Sequence, residues 1–391
     1  MADNPHSLNR AEIGPVLVVS LISALRLLGI FLILPIFSAY AVPYPGGSKA
    51  LAGLAFGIYA LSQCVFQIPL GWASDRWGRR WVLVVGLIMF SLGSLACALA
   101  NDIYSLILGR ALQGSGAVGS VALAALADLT RPTVRTQAFT ITGIAIGSAF
   151  MIGILGGPFL AAHIGLSGLF HVLTALGLLC TILAAVAFPK GAAAQEGEPV
   201  MAFRTVLVHP DLGPIFVAAF VLSFALNLFF FTYPLSWIDL GLDKAQLWKV
   251  YLIIFLPSVF FVFPYMRHAE KRGRLRLPTL IGWLTATAGY AVYLFGAQHD
   301  FMLYLGGSLF FFGYSLFQPI LPAFLTQRIP AGGRGTATGV YTFFGFVGSS
   351  LGGMLGGALI RMSPALPEFV GVALLVAWYF VGLPHAPETH S

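Results

Sequence analysis

Long apolar runs recur along the whole chain, and they constrain its fold more than any other feature. A helix of about 20 predominantly apolar residues crosses a bilayer, and the 391-residue sequence contains twelve such runs. Only 9% of the residues are charged, whereas soluble domains average about a quarter. We therefore predict an all-α membrane protein that crosses the lipid bilayer twelve times. The predicted helices span residues 14–38, 50–73, 81–100, 103–128, 137–161, 166–188, 211–237, 246–267, 277–297, 301–326, 335–360 and 366–383.

One polar stretch divides these runs into two groups of six. We predict an N-terminal six-helix bundle at 1–188, a cytoplasmic linker at 189–210 and a C-terminal six-helix bundle at 211–391. Asp75–Arg79 follows helix 2 as Glu270–Arg274 follows helix 8, half a chain later, so the two bundles are predicted to be pseudo-symmetric. Parallel repeats of this kind place a substrate site at their interface near the bilayer midplane.

The positions of the basic residues predict the orientation. Fifteen lysine and arginine residues fall in one set of loops and four in the opposite set. Cytoplasmic loops carry this excess, so both termini are predicted to be cytoplasmic, in the inner or plasma membrane. The net charge of +7 belongs to short loops between apolar runs, and no nucleic-acid partner is expected.

The loop between helices 2 and 3 has an ordered pattern of glycine and charge. Gly78 supplies the unusual backbone angles that a tight turn requires, and Gly71 is predicted to allow close approach of a neighbouring helix. Asp75 ends an apolar helix, where an unpaired carboxylate is costly, so it needs a partner. The nearest candidates are Arg76, Arg79 and Arg80.

Asp128 is predicted at the same level of the membrane, because helix 4 runs inward and ends there. An Asp75–Arg79–Asp128 network would satisfy three charges at once. The alternative is a set of solvated loop charges.

Two arginines, Arg26 and Arg110, fall inside predicted helices. A charge near the bilayer centre costs at least about 2.5–3.5 kcal/mol, and no Asp or Glu is predicted at comparable depth. These arginines must therefore bond to carbonyls, amides, water or an anionic ligand. They are candidate functional residues, with helix-to-helix bonding through backbone groups or glutamine as the alternative.

Polar residues also form a stripe inside helix 2. Tyr59, Gln63 and Gln67 are spaced by four residues and share one helix face, which should line a cavity rather than face lipid. Hydrogen bonding between helices competes with this interpretation for each residue. In the second half of the chain, the predicted lining residues are Asn227, Tyr233, Tyr314 and Gln318. Phe229–Phe231 are predicted to add an aromatic wall.

Several glycine patterns are predicted to serve packing. Gly143 and Gly147 on helix 5, and the glycines of helix 11, have the small-x-x-x-small spacing of close helix contacts. The helix-11 glycines are Gly348, Gly352 and Gly356. Gly114–Gly119 matches Gly-x-Gly-x-x-Gly, but it lies in predicted helix 4 and follows no strand, so no dinucleotide site is expected.

These features together resemble the major facilitator superfamily over essentially the whole chain. Gly71–Arg80 resembles the loop 2–3 signature of that superfamily. Arg110, Gln113 and the glycines that follow are similar to the Arg-x-x-Gln-Gly-x-Gly motif of its proton-coupled branches.

A third motif on helix 5 resembles the drug:proton antiporters. Gly153, Gly157 and Pro158 match, whereas Ala161 and Ala162 stand where that motif ends in glycines. Helices 1 to 4 resemble the bacterial YajR-type exporters, whose soluble C-terminal domain is not expected here.

The resemblance implies roles for several of these residues. The Asp75–Arg79–Asp128 cluster would lock helix 2 to helix 11 in the outward-open state, and Arg110 would couple transport to protons. The resemblance also implies a monomer.

We therefore expect a secondary transporter that works by alternating access and exports small lipophilic, drug-like compounds in exchange for protons. The first alternative is an organic-anion or phosphate-ester carrier that uses Arg26 and Arg110. The second is a non-transporting membrane sensor.

Other function classes lack their sequence requirements. No phosphate-binding Gly-x-x-x-x-Gly-Lys-Ser/Thr occurs, so ATP is not an expected partner. No acid–base or nucleophile pair is apparent, so an enzyme is not expected. No cofactor or metal is expected, since Cys64, Cys97 and Cys180 lie in apolar runs without metal-binding spacing.

Overall fold

Two compact helical units make up the chain in the computed structural model. The structure describes residues 8–131, 133–189, 203–271, 276–329 and 333–383. The units are Met1–Gly197 and Glu198–Ser391. Residues 190–202 of the predicted linker lie outside the described residues. The bundle boundaries at 188 and 211 stay predictions.

The N-terminal unit follows the predicted order of apolar runs. Its helices are α1 (Arg10–Ile33), α2 (Phe37–Ala41), α3 (Lys49–Trp77), α4 (Arg79–Ala98), α5 (Ile103–Ser115), α6 (Gly119–Asp128) and α7 (Arg135–Val186).

One of its predicted helices is interrupted, and the predicted boundary between two others is confirmed. Predicted helix 4 is broken between Ser115 and Gly119, where Gly116 leaves the helical conformation (ψ 42°), so α5 and α6 are separate helices. Predicted helices 5 and 6 follow one another within the element α7, and Gly165 (φ 67°) leaves the helical conformation at the predicted boundary between them. A positive φ there suits glycine, because it has no Cβ to clash with the backbone.

The C-terminal unit contains eight helices among its described residues. They are α8 (Phe203–Leu207), α9 (Gly213–Asp239), α10 (Leu247–Pro257), α11 (Phe263–Lys271), α12 (Arg276–Gly296), α13 (Asp300–Gln327), α14 (Arg334–Met362) and α15 (Leu366–Val381).

Here too the structure departs from the sequence prediction in two places. Helix α8 lies within the predicted linker. Predicted helix 8 is interrupted by a π-helical segment, Ser258–Val262, directly after Pro257. Proline lacks the backbone donor that continues a helix, which accounts for the interruption. Within the described ranges, nine helical stretches are long and apolar enough to cross a membrane; α7, the pair α5 and α6 (Ile103–Asp128) and the stretch Lys244–Met266 each count as one.

Capping residues define the start of α5, the helix that carries Arg110. The Asp102 side chain accepts a hydrogen bond from the Ser105 backbone at 2.8 Å, and the Ser105 hydroxyl accepts one from the Asp102 backbone. These bonds satisfy donors that the first helical turn leaves free. The bond from the Ser105 backbone also lowers the pKa of Asp102.

Glycines let helices pack at backbone distance in both units. In the N-terminal unit, Gly153 and Gly157 of α7 face Phe31 and Leu32 of α1, and a Cβ at Gly157 would collide with the Leu32 carbonyl oxygen. Pro158 lies beside this contact, inside α7. The helix-5 motif therefore packs α7 against α1.

The C-terminal unit uses the equivalent arrangement. A Cβ at Gly348 or Gly352 of α14 would collide with a carbonyl oxygen of α9, from Phe220 or Phe224 respectively. This agrees with the predicted packing face of helix 11. The prediction is wrong for Gly143 and Gly147, where an added Cβ would meet no atom within 4 Å.

We expect Gly352→Ala to destabilise the protein by about 1–3 kcal/mol, because overpacking at a backbone contact forces the helices apart. The matched control is Gly339→Ala on the same helix, where an added Cβ meets nothing within 4 Å. Thermal unfolding of the detergent-purified variants measures both. A melting temperature of Gly352→Ala equal to that of Gly339→Ala would contradict the packing role.

Candidate functional site

The turn between α3 and α4 is tighter than the sequence indicated. Helix α3 continues to Trp77 and α4 begins at Arg79, so Gly78 alone connects them, with φ 91°. The prediction that Gly78 supplies the unusual backbone angle is confirmed. The predicted close approach at Gly71 is wrong, since a Cβ there would meet no atom within 4 Å.

Arg79 is the centre of a charged network at this turn. It forms an ion pair with Asp75, and its Nε donates to Asp128 Oδ2 at 2.9 Å. Its Nη1 also donates to the Ser74 hydroxyl at 2.6 Å, and that hydroxyl donates to the Gly71 carbonyl. Two carboxylates thus surround a guanidinium that is only 7% exposed. The structure brings together the three charges that the sequence predicted, and Ser74 was missed.

Arg76 and Arg80 point away from this network. The Arg76 guanidinium lies over the Trp72 ring, 5.6 Å from its centroid. Arg80 donates to the backbone carbonyl of Ala185 in α7. Of the three arginines in the turn, Arg79 is the one that partners Asp75.

Arg110 is buried in the N-terminal unit and bonded on several sides. Its Nε donates to the Ala55 carbonyl at 3.3 Å, and its Nη1 donates to Gln113 Oε1. Gln113 in turn donates to the Ser94 hydroxyl at 2.8 Å. The guanidinium also stacks on the Tyr59 ring, 4.3 Å from its centroid. Carbonyl, amide and aromatic ring together replace the carboxylate that this cation lacks.

Arg26 shares Tyr59 with Arg110 but is less fully bonded. Tyr59 lies within hydrogen-bonding reach of Arg26, whereas Arg26 Nη1 is buried and has no hydrogen-bond partner in the described residues. A Cβ on Gly119 would lie 3.3 Å from Arg26 Nη2. The Arg26 guanidinium therefore lies next to the break between α5 and α6. The sequence pattern did not predict this break.

The polar stripe of α3 joins this cluster only in part. Tyr59 and Gln63 are buried, and the Gln63 amide donates to the Tyr59 hydroxyl at 2.8 Å. Gln67 is partly exposed, one turn further along the helix. Tyr59 and Gln63 thus line the arginine cluster.

A cavity of about 240 Å³ lies inside the C-terminal unit. Tyr314 and Gln318 of α13, two of the predicted lining residues, line this cavity, and Ser223 of α9 and Thr342 of α14 face it from other sides. The remaining lining residues are Ala219, Leu222, Phe317, Leu321, Tyr341, Gly345, Phe346 and Ser349. No charged side chain contributes to this lining.

Two other residues predicted for this lining lie elsewhere. Asn227 does not line the cavity, and its amide donates to the Ser223 carbonyl on its own helix at 2.9 Å. Tyr233 is fully buried, stacks on Phe229 and donates to the Leu303 carbonyl at 2.9 Å. The predicted aromatic wall is therefore core, because aromatic side chains from α12 and α13 cover it.

Two charged residues were missed by the sequence reasoning. Glu12 is 6% exposed and accepts hydrogen bonds from the backbone and guanidinium of Arg131 at 2.9–3.0 Å. The Asn9-x-x-Glu12 capping pattern at the start of α1 could have indicated an ordered Glu12. Glu368, in the first turn of α15, is 3% exposed. Nothing in its local sequence indicates burial, since acidic residues at helix starts are ordinarily solvated.

With this geometry in place, comparison with known proteins identifies the family. The model of the Major Facilitator Superfamily matches residues 19–353 and 215–391. This chain belongs to the major facilitator superfamily. It is a transporter, not an enzyme, and it has the twelve-helix, two-domain fold of that family.

Individual relatives agree with this assignment. The inner membrane transport protein YajR of Escherichia coli is 36% identical over 361 residues, which cover 90% of this chain and 79% of the relative. The tetracycline resistance protein, class B, of Escherichia coli is 36% identical over 153 residues, 38% of this chain and 36% of the relative. Among solved structures, the human organic anion transporter MFSD10 aligns with a TM-score of 0.71 at 18% identity, over 95% of this chain and all of that chain.

We expect Asp75→Asn to reduce transport while the protein still folds and inserts. The Asp75 side chain is 58% exposed, and exposed ion pairs contribute about 0–1 kcal/mol to folding stability. The expected loss of transport therefore comes from the altered geometry of the network and not from unfolding. Ethidium flux in proteoliposomes, normalised to membrane abundance, measures the effect. Asp211→Asn, an exposed carboxylate outside the network, is the control. Equal flux in both variants would contradict a role for Asp75.

Asp128→Asn should also lower the stability of the protein, unlike Asp75→Asn, because the Asp128 side chain is only 16% exposed. Its loss removes the more buried partner of Arg79, and breaking a buried pair costs about 3–5 kcal/mol. We therefore expect a lower melting temperature than for Asp75→Asn. The opposite order would contradict the assignment of Asp128 as the main partner.

Proposed function

We propose that this transporter exports small lipophilic compounds in exchange for protons that flow inward, by alternating access. The observation that carries this proposal is the uncharged, partly aromatic cavity of the C-terminal unit. Its volume of about 240 Å³ lies just below the range of about 300–1,000 Å³ typical of drug-sized ligands.

The residues that line the cavity favour binding of a neutral or weakly polar part of the substrate. Phe317 and Leu321 offer apolar surface, and Tyr314, Gln318 and Ser223 offer hydrogen bonds. An ionised group would lack a charged partner in this lining, so desolvating it would be costly. The region of the substrate held here is therefore apolar, with a few hydrogen-bonding atoms.

Proton coupling is supported by the Arg110 network, and export of a drug-like compound by the name of one relative. Arg110, Gln113 and Ser94 form a continuous buried chain of hydrogen bonds. If a neighbouring group gained or lost a proton, the electrostatic energy of the Arg110 guanidinium would change. A tetracycline resistance protein is among the relatives. The membrane potential supplies about 2.3 kcal/mol per charge per 100 mV to such a cycle.

The Asp75–Arg79–Asp128 network suits the role of a conformational lock. It joins the end of α3, the start of α4 and the end of α6 through one buried guanidinium. Such a network has two discrete states, bonded or broken, and can therefore hold one arrangement of these helices until the transport cycle disrupts it.

We place the protein in the inner membrane, as a monomer with both termini in the cytoplasm. The excess of basic residues in one set of loops supports this orientation. The name of the relative YajR, an inner membrane transport protein, supports the location.

Proton-coupled export is tested with purified protein in liposomes loaded with a pH-sensitive dye. Under an imposed proton gradient, we expect ethidium, a lipophilic cation, to cause proton movement. Arg110→Lys should slow this movement, since an ammonium cannot bond Ala55 and Gln113 while stacking on Tyr59. Arg361→Lys, at an exposed position, is the matched control. Absence of proton movement with ethidium would overturn the proposal.

A second candidate function is transport of organic anions or phosphate esters. The observation that favours it is the free Nη1 of Arg26 beside a second guanidinium, with no ion pair to either arginine in the described residues. Two buried cations that lack a carboxylate form a favourable environment for an anion.

Benzoate distinguishes this candidate from the first. If the anion proposal holds, benzoate movement occurs in the same liposomes and is lost in Arg26→Ala but not in Arg361→Ala. Benzoate movement that survives Arg26→Ala would exclude this site. Silence with both ethidium and benzoate would count against both candidate functions and leave the substrate of the transporter unknown.

A further inference from the structure

Glu368 is a buried carboxylate, whereas the other deeply buried charges in the described part of the chain are arginines or are paired. It lies in the first turn of α15 and is 3% exposed. Its Oε2 is buried and has no hydrogen-bond partner in the described residues. No ion pair connects it to a basic side chain of those residues.

The packing of α15 explains why Glu368 is buried. Gly371 follows it by one helical turn, on the same face, and a Cβ at Gly371 would collide with the Tyr290 ring of α12. The missing side chain lets α15 approach α12 closely. The Trp283 indole of α12 also donates to the Leu375 carbonyl of α15 at 2.7 Å, which holds the pair together and encloses Glu368.

Hydroxyl groups, rather than cations, surround the carboxyl group. Tyr293 of α12 and Thr232 of α9 lie within hydrogen-bonding reach of Glu368. The Tyr293 hydroxyl is hydrogen-bonded to Ser236 at 2.8 Å and donates to Thr232 at 3.3 Å. These groups form a continuous hydroxyl cluster against one carboxylate.

The titratable groups that face Glu368 are few. From α12 they are Tyr290 and Tyr293. Helix α9 presents the hydroxyls of Thr232 and Ser236, and among the described residues α14 presents no charged group that interacts with Glu368. Tyrosine hydroxyls can donate a hydrogen bond to the ionised carboxylate and accept one from the protonated form, so both forms can be accommodated.

The cost of an unpaired buried carboxylate favours binding of a proton. A charged group that is buried without an opposite charge is neutralised rather than kept ionised. Because no basic side chain of the described residues compensates it, we infer that Glu368 is a proton-binding site of the C-terminal unit and carries the proton in the exchange proposed above. Binding converts the carboxylate to a neutral carboxylic acid, and release to water restores the negative charge, so one proton moves per cycle of this residue.

This inference explains a feature that the arginines leave unexplained. A guanidinium has hydrogen-bond donors and no acceptor, so Arg26 and Arg110 offer no atom that could bind an incoming proton. Glu368 can change charge within a packed helix triplet of α9, α12 and α15, where the change alters the hydrogen bonds of Tyr293 and Thr232. The coupling role rests on the proposed proton exchange, whereas proton binding by Glu368 can be tested without any substrate.

The first experiment detects the proton directly. Infrared spectra of the wild-type protein in liposomes, recorded across a pH titration, should contain the carbonyl stretch of a protonated carboxyl group that disappears on alkalinisation. We expect this band to be lost in Glu368→Gln and retained in Asp300→Asn, the exposed first-turn carboxylate of α13. Identical titrating bands in wild type and Glu368→Gln would overturn the inference.

A conservative variant tests the assignment of the band even if Glu368→Gln does not fold. Glu368→Asp keeps the carboxyl group but withdraws it by one methylene from the hydroxyl cluster. We expect its band to shift in frequency and in titration midpoint. A band that is unchanged in Glu368→Asp would also overturn the assignment.

The second experiment separates coupling from a structural role. In Glu368→Gln, ethidium movement driven by a proton gradient should fall to the rate of empty liposomes, while ethidium exchange at equal pH on both sides persists. Loss of both activities, or retention of both, would overturn the coupling role. If wild-type protein moves no ethidium, the proposed function fails, and the infrared titration still decides whether Glu368 binds a proton.

Discussion

The cost of an unpaired charge in an apolar environment is the constraint on which the placement of the buried charged groups in the described residues depends. Backbone groups are satisfied within helices, but each buried ionisable side chain needs a partner from another part of the chain. Arg79 meets this requirement with two carboxylates, Asp75 and Asp128, and a serine hydroxyl. Glu12 meets it with the backbone and guanidinium of Arg131. Both networks connect helix ends, where the chain changes direction.

The remaining buried charges are satisfied less completely, and these are the residues with the strongest functional interest. Arg110 relies on a carbonyl, an amide and an aromatic ring. Arg26 and Glu368 each keep one buried atom that has no hydrogen-bond partner in the part of the chain that the structure describes. Charges that are incompletely compensated respond to ligands or protons, because a small change nearby alters their free energy strongly. The N-terminal unit holds such positive charges and the C-terminal unit holds such a negative one.

Glycine determines which helices can approach closely enough to enclose these groups. Gly153 and Gly157 bring α7 to the backbone of α1, and Gly348 and Gly352 bring α14 to α9. Gly371 does the same for α15 at the Tyr290 ring. The spacing of glycines alone did not distinguish these sites from Gly143 and Gly147, where no atom is near. Close packing depends on which face of the helix meets a neighbour.

The sequence by itself determined the membrane class, the order of the apolar helices and the tight turn at Gly78, because these depend on run length and local backbone geometry. It also predicted that Arg79 lies near Asp75, one helical turn away. The number of membrane crossings between Arg79 and Asp128 predicted that these two residues lie at the same face of the membrane. Only the tertiary structure decided that α5 and α6 are separate, that Tyr233 is core and that Glu368 is buried. The physical reason is that burial and hydrogen-bond partners come from helices distant in the sequence, and local patterns carry no information about which of them meet.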